Sequence, residues 1–510
     1  MSEPITRRKI LIDYRIRAAK CLGCGRVYFP PKSFCNIEGR KSRMREVDHF
    51  YEQGTLLSGN VIRGPTKKFA YLKSFLSGII HFQNDNLKVP GRITDYVPPP
   101  EELDVTEFIG KAVVPRFRKI YTDGASGLIY YSSLNFSFED DYYPFQEYKP
   151  IKPASSSSPS SKRGDKGKPG IVGYGVYLPK FRIKNAPPGA LGVLERTLPF
   201  ADEDTTTFAV EAGKRALIHS AIDGARVKKC FIGSESAPYA VNPSMSTVSQ
   251  VLELGEKYEG GFFSGGVDAQ FACKAATDLF IDAAALVAYP TFGGEYVMVI
   301  GADNSQAAAG DPLDYTVGAG GTAFIFGNRK EEVIATLDCY VPYTSDTPDF
   351  YRRDGEKYPQ HGGRFTGIPA YYKHVGTAMR AALKLCGLAP GDIQYVANHA
   401  PNAKFPYQVA KDEGFSREQI EPGLVVKYIG NLYSGSCPTA LAAVLDIAKP
   451  GDKILMTSYG SGAGSDAYLF TVTDEIERRR EKLIPVKEQI ENPHRQYVDY
   501  STYRRWKESS

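Results

Sequence analysis

Cys273 lies in the stretch Phe271-Ala-Cys-Lys-Ala-Ala-Thr277, and the Ala-rich run from Ala275 to Ala288 follows it at once. That run has neither Gly nor Pro, so it is predicted to be a helix. A cysteine at the first turn of such a helix faces unpaired backbone N–H groups and the positive end of the macrodipole. Both favour the thiolate, which is the nucleophile; inert core filling is the alternative. Glu235 follows the apolar stretch Lys229-Cys-Phe-Ile232, and His399 follows Ile393-Gln-Tyr-Val-Ala397. Both are predicted to stand at strand ends. Partial burial there would raise the pKa of a glutamate and make it a usable base. A histidine there can donate a proton or a hydrogen bond to a developing alkoxide. A solvated glutamate and a structural histidine are the plainer readings of the same positions. Asn431 and the backbone N–H near Ser461 are candidates to hold a thioester oxygen, with an Asx turn beside Gly430 as the alternative for Asn431. A thiol, a carboxylate and an imidazole together suit acyl transfer followed by carbon–carbon bond formation.

The elements that must position these groups alternate helix and strand, which predicts an α/β fold with mostly parallel strands. A weak internal repeat runs through them. One unit leads from Phe271-Ala-Cys273 through the Ala-rich helix to the strand Glu295-Tyr-Val-Met-Val-Ile-Gly-Ala-Asp303. The other leads from Ser434-Gly-Ser-Cys437 through Thr439–Ala448 to the strand Asp452–Gly460. The repeat places Cys437 in a turn corresponding to that of Cys273 and makes it the rival nucleophile. Core filling is the plainer reading of Cys437, as it is of Cys230, Cys339 and Cys386.

Residues 151–169, rich in Ser, Pro, Gly and Lys, are predicted to form a flexible linker. Before it, residues 1–40 contain Cys21-Leu-Gly-Cys24 and Cys35. That spacing suggests a zinc knuckle, with Glu38 where a fourth cysteine is expected; a metal-free knuckle is the alternative. Residues 41–150 carry short β-rich stretches separated by turn residues: Gly54–Ile62, Ala70–Phe75, Ser77–Phe82 and Ala112–Phe117. These predict a small antiparallel barrel. After the linker, residues 170–510 form the larger domain, with halves at about 170–330 and 331–475 and a basic tail, 476–510, expected to be a solvated helix.

A net charge of +5 over 510 residues gives no case for nucleic-acid binding, while leaving acidic metabolites unrepelled. No apolar run reaches the roughly 20 residues needed to span a bilayer, and the N-terminal residues lack a secretory apolar core. Eight cysteines in such a chain point to reduced thiols in a cytoplasmic setting.

Seven stretches occur in an order that resembles the archaeal-type 3-hydroxy-3-methylglutaryl-CoA synthases. They are Gly170–Pro179, Gly233-Ser-Glu-Ser236, Phe271-Ala-Cys273, Tyr358–Gly367, Asn398–Pro406, Gly430–Ser436 and Ser458-Tyr-Gly-Ser-Gly462. The resemblance runs from about Pro169 to the C-terminus. It implies a thiolase-type αβαβα fold of two similar halves, commonly a homodimer. It also implies Cys273 as the acetyl carrier, Glu235 as the base and His399 as the acid, without a catalytic cofactor, acting on acetyl-CoA and acetoacetyl-CoA. It further raises His361 and Arg364 as substrate-binding residues and Lys404 as a group facing the CoA phosphates. The knuckle and barrel resemble the zinc-ribbon/OB-fold domains that accompany acyl-CoA condensing enzymes, which implies a possible structural zinc and a bridge to an acetoacetyl-CoA thiolase. Ala276 stands where Gly is expected and Ala400 where Gln is expected. Another 3-oxoacyl-CoA as acceptor, a decarboxylative ketoacyl-synthase-like condensation, and a scaffold role are the alternatives.

Overall fold

The computed structural model describes residues 12–99, 103–140, 144–150, 166–186, 189, 191–292 and 295–509. It has two compact units: Met1–Tyr148 with Phe200–Glu203 and Arg505–Ser510, and Lys149–Pro199 with Asp204–Arg504. The linker prediction falls mostly outside the described residues; its last four positions, 166–169, are instead the start of a strand.

In the first unit, β1 (Arg17–Cys21), β2 (Val27–Tyr28) and β3 (Met44–Asp48) form an antiparallel sheet in the order β2-β1-β3. Next come β4 (Gly54–Ile62), β5 (Phe75–Phe82), β6 (Leu87–Ile93), β7 (Ala112–Thr122) and β8 (Ile129–Phe138), which close a barrel in the order β4-β5-β6-β8-β7. Its pairings are antiparallel except β6 with β8. This is the five-stranded OB arrangement, filled by Leu56, Ile80, Val89, Val113 and Phe136 among others. The stretch Ala70–Phe75 is not a strand. The Phe69 N–H turns back onto the Thr66 carbonyl, a 3-10 turn spans Lys67–Leu72, and β5 begins only at Phe75. Phe200–Glu203, assigned from sequence to the larger domain, belongs to this unit because Asp202 accepts hydrogen bonds from Arg92 at 2.5 Å and Thr94 at 2.7 Å.

The second unit is built on one sheet. Its strands are β9 (Lys166–Tyr177), β12 (Val227–Gly233), β15 (Gly265–Ala269), β16 (Tyr296–Asn304), β17 (Ala319–Arg329), β18 (Ala335–Thr347), β21 (Tyr395–Asn398), β22 (Lys453–Thr457) and β23 (Gly462–Val472). They run in the order β15-β12-β16-β17-β9-β18-β23-β22-β21. Accessory strands are β10 (Phe181–Lys184) with β11 (Glu195–Leu198) and β24 (Gln496–Tyr497), and the hairpins β13 (Lys257–Tyr258)/β14 (Gly261–Phe262) and β19 (Phe350–Tyr351)/β20 (Gln360–His361). The principal helices are α1 (Thr205–Ser220), α2 (Ser244–Leu252), α3 (Ala275–Ala288), α4 (Tyr372–Cys386), α5 (Lys404–Asp412) and α6 (Ser436–Leu445).

β9 and β18 touch only at Ala335–Ile171 and Thr336–Gly170, so the sheet is two sheets joined at a corner. Each side repeats one plan: strand (β9 or β18), outer helix (α1 or α4), strand (β12 or β21), inner helix (α3 or α6), strand (β16 or β22) and return strand (β17 or β23). The pairings match as well, being antiparallel, antiparallel, then parallel on each side. The expected internal repeat is therefore present as two similar halves of a thiolase-type fold. The expectation of mostly parallel strands is not met, since within the main sheet only β15–β12, β12–β16 and β22–β21 are parallel. β23 returns from β22 through a turn of a few residues, and such a connection allows only antiparallel pairing.

The inner helices α3 and α6 meet in the main core, where Ala276, Ala283, Ala284, Ala440 and Ala443 pack with larger neighbours from both sheets. Small residues allow this close approach on two sides. The tail is not simply solvated: Arg479 is buried, with its guanidinium donating to the Ser220 carbonyl.

Candidate active site

The C-terminal ends of β12 and β21 and the N-terminal ends of α3 and α6 lie at one end of the two halves, and the chemistry-bearing residues come from there. Gly233, the last residue of β12, packs so tightly on α3 that a Cβ would sit 2.1 Å from the Ala276 nitrogen. Only glycine permits this approach, which sets the Ser234-Glu235-Ser236 turn beside the start of α3. Cys273 precedes α3 by two residues, and the residue before it, Ala272, has φ +43°.

Glu235 and Cys273 are both buried and act on each other electrostatically. Burial pushes the Glu235 carboxyl up to about 8, with the Asp303 charge adding to the effect. Burial and then the Glu235 charge push the Cys273 thiol well up too. The expectation that the helix terminus alone would favour thiolate is thus overridden: the resting pair is a thiol beside a proton-hungry carboxyl. Glu235 Oε1 is buried without a hydrogen-bond partner. Beneath the pair, Asp303 ends the apolar run of β16 and accepts hydrogen bonds from the Ser234 and Ser236 hydroxyls and from the backbone of Glu235, Ser236 and Ser434. Despite these donors, burial lifts its carboxyl to about 6.

His399, one residue past β21, is buried, and burial pushes its pKa down to about 3. Its Nδ1 has no hydrogen-bond partner. Its ring stacks on Tyr459 at 6.3 Å between centroids, and the Cys273 sulfur acts electrostatically on that same tyrosine. Tyr459 donates to Asp349, which also accepts from the Ser461 hydroxyl and the Gly462 N–H. Asp349 in turn acts on both Glu235 and Cys273. The three sequence-derived candidates therefore share one neighbourhood. Cys437 does not: it is fully buried inside the main core, and burial pushes its thiol far up.

Asn431 forms the expected Asx turn and keeps its amide nitrogen spare. Its Oδ1 accepts from the Tyr433 N–H at 2.9 Å, an Asx turn, and its Nδ2 makes no hydrogen bond among the described residues. The Ser461 hydroxyl is tied to Asp349, while its backbone N–H is likewise unpartnered. A cavity of about 190 Å³ opens beside Glu235 and is lined also by Gln270, Gln306, Phe350, Arg352 and Tyr433. Arg352 donates to the Glu235 carbonyl at 3.2 Å. His361 faces Phe350 across the β19/β20 hairpin and pairs with Asp311 at 3.3 Å. Arg364 and Lys404 are exposed, make no side-chain bond among the described residues, and do not line this cavity. The sequence reading missed Asp303, Asp349, Tyr459 and Arg352. Only Asp303 carried a signal, as an acid closing an otherwise apolar strand.

In the first unit, the sulfurs of Cys21, Cys24 and Cys35 all lie within 4.8 Å of one another, with Cys24 and Cys35 3.5 Å apart. Ligands about 2.3 Å from a tetrahedral zinc lie about 3.8 Å from each other, so the three thiols fit one ion. Burial pushes Cys35 up, but the Tyr28 hydroxyl and the N–H groups of Glu38 and Ile37 outweigh it and hold the thiol at about 6. Glu38, the expected fourth ligand, is not part of this group; its carboxylate lies over Gly23 instead.

Comparison with known proteins decides the family. The hydroxymethylglutaryl-CoA synthase of Methanococcoides burtonii is 45% identical over 350 residues, covering 66% of this chain and 97% of that protein. The corresponding proteins of Methanopyrus kandleri and Pyrococcus horikoshii are 44% and 43% identical over the same share of this chain. The chain belongs to the hydroxymethylglutaryl-CoA synthase family. The profile of the 3-oxoacyl-[acyl-carrier-protein] synthase III C-terminal domain matches residues 383–472, and that of the ChsH2 rubredoxin-like zinc ribbon matches residues 8–37. The fold is shared with MvaS in complex with 3-hydroxy-3-methylglutaryl coenzyme A, at TM-score 0.59 and 22% identity over 67% of this chain and 92% of that one. It is shared also with 3-oxoacyl-[acyl-carrier-protein] synthase III from Aquifex aeolicus, at TM-score 0.51 and 20% identity over 59% of this chain and 99% of that one. Among the described residues no helix is long and apolar enough to cross a membrane.

Proposed function

We propose that this chain condenses acetyl-CoA with acetoacetyl-CoA and water to give 3-hydroxy-3-methylglutaryl-CoA and CoA. The Cys273 thiol within electrostatic reach of a Glu235 carboxyl that lines an open cavity carries this reading. Glu235 takes the Cys273 proton as the sulfur attacks the acetyl carbonyl, and CoA leaves with that proton. Glu235 then removes a methyl proton from the acetyl-cysteine, and the resulting carbon attacks the acetoacetyl ketone. His399 is neutral at any working pH, because burial holds its pKa at about 3. It therefore serves as a hydrogen-bond donor to the ketone oxygen, and the alkoxide receives its proton from Glu235 rather than from the imidazole. Water next attacks the thioester, Glu235 accepts the water proton, and the proton passes to the Cys273 sulfur as product leaves. The free Nδ2 of Asn431 and the Ser461 N–H are placed in the role of thioester-oxygen donors. The chain's own groups supply every proton transfer in this sequence. A decarboxylative condensation would not need Glu235, whose place beside Cys273 would then be idle.

The protein is also inferred to act as a homodimer. β15 is an edge of the sheet, and Val267 on it is exposed, as are Tyr258 and Phe263 just before it. An open edge with apolar side chains is covered most simply by a second copy. A complex with an acetoacetyl-CoA thiolase is the expected partner of the added N-terminal unit, and co-purification tests it. The reaction itself is tested by intact mass after incubation with acetyl-CoA. Wild type and Cys437→Ala should gain one acetyl group and Cys273→Ala none, and acetoacetyl-CoA should discharge the adduct as product. An adduct that survives in Cys273→Ala refutes the assignment.

A further inference from the structure

We infer that Lys274 is a positioning residue that locks the nucleophile turn of one half onto the loop of the other half that carries Tyr459 and Ser461; this rests on the condensing function proposed above. Lys274 is buried beside Cys273. Its ammonium lies 2.8 Å from Asp466 on β23, which is equally buried, and also binds Asp278 one turn into α3. It sits 4.2 Å over the Phe271 ring.

The path of the side chain is specific. Gly460 and Gly464 face each other across the neck of the β22–β23 hairpin, exchanging backbone hydrogen bonds of 2.9 and 2.8 Å. A Cβ on Gly460 would stand 2.8 Å from the Lys274 Cγ, and one on Gly464 would stand 2.8 Å from its Cε. The same two positions also abut Phe271. The methylene stem thus crosses the hairpin neck where no other residue type leaves room, and the charge is received on the far side. Asp466 is fixed in turn, because its N–H donates to the Ser458 hydroxyl at 3.0 Å and its carbonyl accepts from the Ser458 N–H at 2.9 Å.

This has a consequence for the reaction. Cys273 and Glu235 belong to the first half. Tyr459, on which His399 stacks, and the unpartnered Ser461 N–H belong to the second. Acetyl transfer to Cys273 needs Glu235 and a thioester-oxygen donor, which Asn431 supplies from outside the β22–β23 loop, whereas condensation also needs the imidazole at a fixed distance from the acetyl carbon. Lys274 ties the segment before α3 to the segment after β22, and so holds that distance. A buried salt bridge is weak evidence of stability, since an apolar pair of similar size often replaces it at no loss. Positioning is the role that such a replacement would not preserve.

The test is the double variant Lys274→Met with Asp466→Leu, which leaves no buried charge unpaired, alongside Lys274→Met alone. Expected for the double variant are a melting temperature near wild type, acetylation of Cys273 by acetyl-CoA seen by intact mass, an unchanged KM for acetyl-CoA, and a condensation kcat lower by roughly 100-fold, the scale for a misplacement of about 1 Å. Loss of kcat should be no greater in the double variant than in Lys274→Met. A folded double variant whose kcat stays within about threefold of wild type overturns the proposal. So does a double variant that loses acetylation and condensation in equal measure, which would make the pair a general support. A wild type that takes no acetyl group at Cys273 overturns the underlying function as well, and is told apart because it fails before any variant is made.

Discussion

Raising the pH should switch on the carbon–carbon bond-forming step through Glu235, and the size of the effect follows from its surroundings. As a base, Glu235 must be ionised. Burial and the Asp303 charge place its pKa at about 8, so about one molecule in a hundred is competent at pH 6, about one in ten at pH 7, and about nine in ten at pH 9. The single-turnover rate of acetyl-enzyme with acetoacetyl-CoA should therefore climb about tenfold per pH unit up to 8 and then level. Exchange of the acetyl methyl protons with deuterated solvent, read by mass, should follow the same curve without acceptor. Stability should move the other way. The folded-state pKa lies above the ordinary glutamate value of 4.5, so the folded protein binds the proton more tightly than the unfolded chain. Each pH unit between about 4.5 and 8 then costs folding up to about 1.4 kcal/mol from this group, and nothing further is lost above 8. Glu235→Gln should remove that slope, making the variant inactive yet more resistant to unfolding than wild type at pH 9. A flat exchange profile between pH 6 and 9, or a plateau already reached at pH 6, would refute the reasoning.

Three further outcomes are expected. His399→Ala should still be acetylated at Cys273, while its condensation rate drops by about 100- to 1000-fold, the loss typical for removing one donor to a developing oxyanion. Because His399 stays neutral, the wild-type pH profile should show no downward limb between pH 5 and 8 on the acidic side beyond that of Glu235. In the first unit, metal analysis should find about one zinc per chain, and Cys35→Ser should lose it together with several kcal/mol of that unit's stability, read by denaturation; an unchanged melting transition in metal-free protein would show the knuckle to be metal-independent.

Much of this architecture is legible in one dimension because local chemistry and fold agree. The helix over Ala275–Ala288 needs nothing but its Ala-rich composition, and the strand over Gly54–Ile62 needs only turn residues at its ends. The strand expected at Ala70–Phe75 fails because a local backbone turn competes with pairing, which composition does not weigh. The mixed sheet is hidden for a different reason: apolar strands look alike whether their neighbours run with or against them. Within the site, Cys273, Glu235 and His399 stand out by residue type next to predicted elements. Asp349 and Tyr459 do not, since they act through contacts between segments 110 residues apart. Lys274 looks like an ordinary surface charge until its receptor, 192 residues away, is seen.

On the proposed mechanism, the duplication also explains why Cys273 rather than Cys437 would be the reactive thiol. Cys273 and Cys437 stand at corresponding inner helices, and Glu235 and His399 follow corresponding strands β12 and β21. Equivalent backbones thus deliver a carboxyl to one side and an imidazole to the other. Burial acts on both, but with opposite sign, because it disfavours whichever form is charged. The carboxyl is driven up to about 8 and so can carry a proton at neutral pH, while the imidazole is driven down to about 3 and stays neutral. In the mechanism proposed above, one half therefore supplies all the proton traffic and the other supplies a fixed donor. A nucleophile belongs with the group that moves protons, which selects Cys273. Cys437 sits instead within α6, which is buried throughout, with its sulfur turned to the Ala397 carbonyl at 3.6 Å. Freeing that sulfur would mean opening the packed layer that holds both halves together. Reactivity at the second thiol is thus closed off by the same packing that brings the first thiol to its base.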